Sequence, residues 1–145
     1  MGNVFYKEES YDKLSAKEKR RLAFYREDIV MIDLGQEGSI GSEQRGYRPA
    51  IVIQNNVGNA YSPTLVVALI TTKDKADIPT HMNVDLYEPS TIMAEQVRTI
   101  DKCRVHKKIG RLKSEYIHRL NHCIAVSMGL TNNFKEESNV QLLQI

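Results

Sequence analysis

Between Asp28 and Ile100 the chain carries five apolar, β-branched runs set close together: DIVMIDL (28–34), AIVIQN (50–55), TLVVALIT (64–71), HMNVDL (81–86) and TIMAEQVRTI (91–100). Clusters of Gly, Pro, Asn and Asp separate them, as strands ending in turns require. Parallel neighbours would need crossover helices, and the gaps hold no helical pattern long enough to supply them. The strands are therefore expected to run antiparallel in a small barrel or a strongly bent sheet, with RVHKKIGRL (104–112) as a weaker further strand.

Helical signals flank this centre. Ser15 followed by Glu18 has the spacing of a capping box, and Tyr11, Leu14, Leu22 and Tyr25 fall near one helical face. A helix of about three turns is expected there. SEYIHRLNHCIAVSMGL (114–130) sets Ile117, Leu120, Ile124 and Met128 on one stripe, with Ser114 as the expected N-cap and Gly129 as the stop. The fold class is thus mainly β with α additions: an N-terminal helical extension (1–27), a central domain (28–130) and a C-terminal tail (131–145). A chain of 145 residues, 41% of them hydrophobic, suits one core without staples.

Charge is unevenly spread. The net charge is only +2, yet Arg98, Lys102, Arg104, Lys107, Lys108, Arg111 and Lys113 stand against Asp101 alone between Val97 and Lys113. Such a patch suits a phosphate backbone, and it equally suits a solvated edge strand guarded by lysines. Two cysteines, Cys103 and Cys123, are too few for a disulfide framework and lack CxxC spacing, so a cytoplasmic location is expected. No apolar stretch approaches the roughly 20 residues that span a bilayer, and no membrane partner is expected. His118 and His122 lie four apart beside Cys123, a spacing open to zinc, but they fall off the apolar stripe and no second ligand pair accompanies them, so no metal is expected. Phosphate loops of the GxxxxGK[ST] and GxGxxG kinds are absent.

The segment GSEQRGYRPA (41–50) concentrates charge ahead of a strand. Pro49 has no amide hydrogen and pushes Arg48 into an extended conformation, which places that arginine at a rim. Taken in order, GSEQRGYRPAIVIQN, YSPTLVVALITT, IPTHMNVDL, EQVRTIDKCRV and a helix ending SMGL resemble successive blocks of the MazF/PemK family of toxin endoribonucleases, over about 28–130.

The resemblance implies a small SH3-like twisted β-barrel with a C-terminal helix, to which this chain adds an N-terminal helix. It implies a homodimer that cuts single-stranded mRNA at short motifs without a metal or other cofactor. The 2′-hydroxyl would attack the adjacent phosphorus, leaving a 2′,3′-cyclic phosphate and a 5′-hydroxyl. A cognate MazE-like antitoxin, with an acidic tail competing for the RNA groove, is the implied protein partner. Carried over residue by residue, Arg48 and Thr71 match catalytic positions, with Thr72 a spare hydroxyl. Ser42, Glu43, Gln44 and Arg45 belong to a substrate-contacting loop, Glu95 and Gln96 to a pair near the pocket, and His81 and Arg98 to blocks close to the RNA.

On chemistry Glu95 is the more conventional general base, since arginine stays protonated and threonine is a poor base. A strand carboxylate paired with Arg98 is the competing reading. His81 is equally open to a structural role. Tyr47 and Tyr61 are candidates for base stacking or for partial burial. A gyrase-inhibiting toxin and a non-catalytic RNA-binding module share the implied fold and remain alternatives.

Overall fold

The structure is a computed structural model, and it describes residues 2–35, 46–73 and 75–131. Among these residues seven strands form one antiparallel sheet: β1 (Val4–Ser10), β2 (Asp28–Asp33), β3 (Tyr47–Val52), β4 (Thr64–Thr71), β5 (His81–Asp85), β6 (Pro89–Asp101) and β7 (Val105–Leu112). They lie in the order β1-β7-β2-β3-β4-β6-β5. The strand runs of the sequence are recovered, β7 included.

The N-terminal expectation is corrected. Residues 4–10 form β1, paired with β7, and the helix α1 is only Ala16–Arg20. The capping box is present: Ser15 Oγ accepts the Glu18 amide at 3.1 Å and Glu18 Oε1 accepts the Ser15 amide at 3.0 Å. A cap starts a helix but does not lengthen it, and α1 buries no residue that would reward further turns. Tyr11 and Phe24, on either side of α1, are instead the buried pair, ring edge to face with centroids 6.0 Å apart.

The sheet has an apolar layer on each face. One layer gathers Ile29, Ile51, Ala68, Ile70, Met82, Val84, Ile92 and Ile109, covered by Leu120 and Cys123 of the helix Ile117–Ser127, called α3. The other gathers Val30, Ile32, Ala50, Val52, Val67, Leu69 and Met93, covered by Tyr11 and Phe24. Burial on both faces explains why the strands read as nearly continuous apolar runs rather than alternating ones. A short helix, α2 (Asn56–Tyr61), was not legible; Asn55 caps it by accepting the Gly58 amide at 2.8 Å. Ser114 is not the cap of α3. It opens a single 3-10 turn, Ser114–Tyr116, from which α3 runs to Ser127, with Gly129 just beyond its cap at φ +74°.

Among the described residues the ladders do not close the sheet, whose two edges are β1 and β5. Side chains nevertheless join those edges: Asn3 Nδ2 donates to the Asn83 carbonyl at 2.9 Å, Asn3 Oδ1 accepts the Asp85 amide at 2.8 Å, and the Tyr6 hydroxyl donates to the Asp85 carbonyl at 2.5 Å. Gly110 makes this possible. A Cβ there would lie 2.2 Å from the Phe5 carbonyl oxygen, so β1 can rest on β7 only because the side chain is missing. Among the described residues no helix is long and apolar enough to cross a membrane.

Candidate functional site

The β3–β4 pairing runs Val52–Val67, Ile51–Ala68 and Ala50–Leu69 and ends there, with Arg48 and Thr71 each two residues beyond its last pair. The two line one cleft of about 130 Å³ with Pro49, Ile70, Thr72 and Lys73. Arg48 is half-buried and Thr71 is buried. Pro49 is half-buried between Arg48 and the apolar layer, fixing φ where the strand emerges. The Lys73 amide donates to Thr71 Oγ1 at 3.2 Å, which commits the oxygen as acceptor and leaves the hydroxyl proton for donation. Arg48, Thr71 and Thr72 are thus brought together. Lys73, which the sequence reading passed over, adds a second cation; it simply follows the ALITT run and carries no periodic signal.

Glu95 is held elsewhere. β6 slips its register between Ala68 and Leu69, pairing Val97 with the first and Met93 with the second, so residues 94–96 bulge out of the ladder. The bulge turns the Glu95 carboxylate to β5: Oε2 lies 2.8 Å from His81 Nε2 and Oε1 accepts from the Thr80 hydroxyl at 2.9 Å. Burial works to raise the Glu95 carboxyl's pKa, but the bonds from His81, from its own backbone amide and from Thr80 together bring it below its ordinary value. Thr91, the β6 partner of Thr71, is four positions from Glu95, on the order of 10 Å of strand. Glu95 is not among the residues lining the cleft.

His81 is buried and its other nitrogen, Nδ1, lies 2.7 Å from the Ala76 carbonyl oxygen. Gln96 and Arg98 are half-buried further along β6, where Arg98 pairs with Val67. Ser42, Glu43, Gln44 and Arg45 lie outside the described residues. Tyr47 and Tyr61 are both exposed, and Tyr47 stands at a 60° angle against His106 with centroids 5.2 Å apart. His118 is exposed and Cys123 buried, and among the described residues no cluster of metal-ligating side chains is found.

The structure shows where the cationic stretch lies and what several of its members meet. β7 lies between β1 and β2, and their acids meet its cations: Lys107 with Glu8, Lys108 with Asp28 at 3.2 Å, and Arg111 with Asp28 at 2.8 Å. Lys102 is buried and donates to the Asn59 carbonyl at 2.6 Å, and burial pushes its pKa down. Much of the local positive charge therefore neutralises acids of neighbouring strands rather than facing a ligand.

A mainly antiparallel sheet with an arginine and a threonine lining one cleft at the ends of neighbouring strands defines a class, and comparison with known proteins gives it a family. Residues 25–128 match the family model described as PemK-like, MazF-like toxin of type II toxin-antitoxin system, and the chain belongs to that family. A curated relative, endoribonuclease MazF of Staphylococcus saprophyticus, is 42% identical over 111 residues, covering 72% of this chain and 91% of the relative. Among solved structures, an endoribonuclease in complex with its cognate antitoxin from a mycobacterial species superposes with TM-score 0.64 at 22% identity, over 75% of this chain and 98% of that one. MazF from Deinococcus radiodurans superposes with TM-score 0.62 at 17% identity, over 74% and 98% of the two chains. At such identities the structures speak for the fold alone.

Proposed function

We propose that this chain is the toxin of a type II toxin-antitoxin pair, an endoribonuclease that cuts single-stranded mRNA in the Arg48–Thr71 cleft and so arrests translation and growth. The observation that carries the reading is the shared cleft of Arg48, Thr71 and Lys73 in a chain of this family. The reaction needs no external nucleophile, because the ribose 2′-hydroxyl is already tethered beside its phosphorus. Holding it in line supplies an entropic advantage that reaches about 7–11 kcal/mol in well-oriented cases.

Arg48 is assigned to the phosphorane. Its planar fork offers paired donors to two phosphate oxygens, and its charge is permanent. Thr71 donates its hydroxyl proton to the same centre, and Lys73 steers the backbone in. No step requires a metal. The 2′-proton is the open part of the chemistry: a carboxylate is the better base, but the bonds of Glu95 to His81 and Thr80 hold it away from the cleft, which favours a role in shaping the RNA groove with Gln96, Arg98, Thr72 and His81.

The bent sheet is read as the family's SH3-like twisted barrel, carried by residues 28–130, with β1 added along its open seam beside β5. The protein is taken to work as a cytoplasmic homodimer, neutralised by a MazE-like antitoxin whose acidic segment competes for the cationic cleft. The test is incubation of the purified protein and Arg48→Ala with a long unstructured RNA in excess chelator. Fragments ending in cyclic phosphate and 5′-hydroxyl, at a recurring motif and only with the unaltered protein, are expected. Intact RNA in both tubes overturns the reading.

A further inference from the structure

We propose that the recess adjoining the cleft, walled by Met31, Pro49, Thr72, Leu86, Tyr87 and Ile109, is a subsite for one nucleobase of the RNA beside the scissile phosphate; this rests on the nuclease reading above. The recess measures about 250 Å³ and shares Pro49 and Thr72 with the cleft. Among the described residues its walls are mostly apolar, with Glu88 the one charged side chain lining it. A phosphate would be repelled there and a planar base would not. Arg48 and Lys73 lie on the cleft side, so phosphate and base have separate seats side by side. Thr72 supplies a hydroxyl for the edge of the base, and Ser90, whose proton goes to the Glu88 carbonyl at 2.9 Å, offers its oxygen as an acceptor.

The second observation is that the aromatic wall is held in position from outside. Tyr87 is 68% exposed, yet its ring stacks on Tyr6 with centroids 5.1 Å apart and its hydroxyl donates to Glu8 at 2.9 Å. Glu8 is in turn paired with Lys107, and Tyr6 is bonded to the Asp85 carbonyl at the root of the same turn. An exposed aromatic ring fixed at both face and hydroxyl has already lost the rotamer freedom that binding would cost. β1, which supplies Tyr6 and Glu8, precedes residue 25, where the family match begins. The platform is thus set by a strand that lies outside the matched segment.

The test follows Met31 and Ile109 methyl resonances while the full chain is titrated with four 2′-O-methyl RNA hexamers, each a homopolymer of one base and none cleavable. Those methyls are expected to move with one or two hexamers and hardly with the rest. Tyr87→Ala, whose ring lies outside the core, is expected to weaken the preferred hexamer about tenfold and to level the four. Methyls silent to every hexamer, or an unchanged preference in Tyr87→Ala, overturns the subsite. Cleavage of a long RNA by the unaltered protein separates the two readings. Cleavage with silent methyls removes the subsite and leaves the nuclease, whereas responsive methyls without cleavage uphold base binding and remove the nuclease.

Discussion

His81 stands with both ring nitrogens against acceptors: Nε2 is 2.8 Å from Glu95 Oε2 and Nδ1 is 2.7 Å from the Ala76 carbonyl oxygen. A carbonyl accepts only, so Nδ1 must carry hydrogen, and the bond to an ionised Glu95 is complete only when Nε2 carries one as well. Around this pair the bulge of β6, the Thr80 hydroxyl and α3 converge, with Ser127 Oγ donating to the Ala94 carbonyl at 2.7 Å. The pair therefore ties the bulge to its neighbours.

That geometry has a pH signature. The Glu95 carboxyl sits below its ordinary value of 4.5, so its stabilising contribution is present above 4.5 and disappears as pH falls through the lower folded value. Thermal unfolding followed from neutral to acid should show a loss of stability in that window that is smaller in Glu95→Gln. Single-turnover cleavage by Glu95→Gln should stay within a few-fold of the unaltered rate. A loss of several hundredfold with the alkaline limb of the profile retained and the acid limb abolished would instead make Glu95 the base.

Arg48→Ala and Thr71→Val should both abolish most of the chemical step while leaving the fold intact, since Arg48 is half-buried and valine nearly matches threonine in shape. Removing one donor to a developing oxyanion costs on the order of 10²–10³ in rate. Arg48→Lys should recover only part of the loss, because an ammonium offers a point charge in place of a paired fork. Rapid-quench cleavage of a short RNA containing the recurring motif measures all three.

How far the sequence reached depended on whether the deciding contact was local. Strands β2 to β6 and the Ser15–Glu18 cap are written in neighbouring residues and were legible. The Arg48–Thr71 pair was found through a matched series of segments. β1 escaped because VFYKEES buries only its first residue, leaving no apolar alternation to notice. Its reasons for existing lie more than 75 residues away, in Asn83, Asp85 and Gly110. The two readings of the cationic stretch stayed open for the same cause: seven cations counted along the chain say nothing of the acids that β1 and β2 bring alongside.

Gly110→Ala tests the seat of β1. The added carbon would meet the Phe5 carbonyl oxygen at 2.2 Å and the Tyr6 Cα at 3.0 Å, both backbone atoms that a rotamer change cannot move. Overpacking of this kind costs about 1–3 kcal/mol. Chemical denaturation should register that loss, and hydrogen exchange should show the amides of β1 losing protection before those of β4 do.

Arg20 and Asp101 give a local pKa to check. Arg20 Nε lies 3.0 Å and 3.2 Å from the two carboxylate oxygens, and together with the Cys103 amide it brings the Asp101 carboxyl from 3.8 to about 2. In Arg20→Ala the carboxyl carbon resonance should titrate closer to 3.8. The folded value is depressed, so the pair stabilises above 3.8 and the effect fades as pH falls toward 2.

Asp28 decides whether the cations of β7 belong to the fold or to the ligand. It is 1% exposed, takes Lys108 at 3.2 Å and Arg111 at 2.8 Å, and accepts the Tyr25 amide at 2.8 Å. Asp28→Asn removes the charge that both cations answer; the loss should fall below the about 3–5 kcal/mol of a fully buried pair, because Arg111 is 43% exposed and also lies 3.8 Å from Glu27. The converse experiment is on binding. A lysine that neutralises a phosphate contributes about one unit to the slope of log affinity against log salt, so its replacement should flatten that slope. Lys108→Met should leave the slope for 2′-O-methyl RNA unchanged while lowering the unfolding midpoint, because its partner is Asp28. Lys73→Met, on the wall of the cleft, should do the reverse, flattening the slope with little effect on stability. If Lys108 flattened the slope and Lys73 did not, the RNA would run over β7 and the cleft assignment would fall with it.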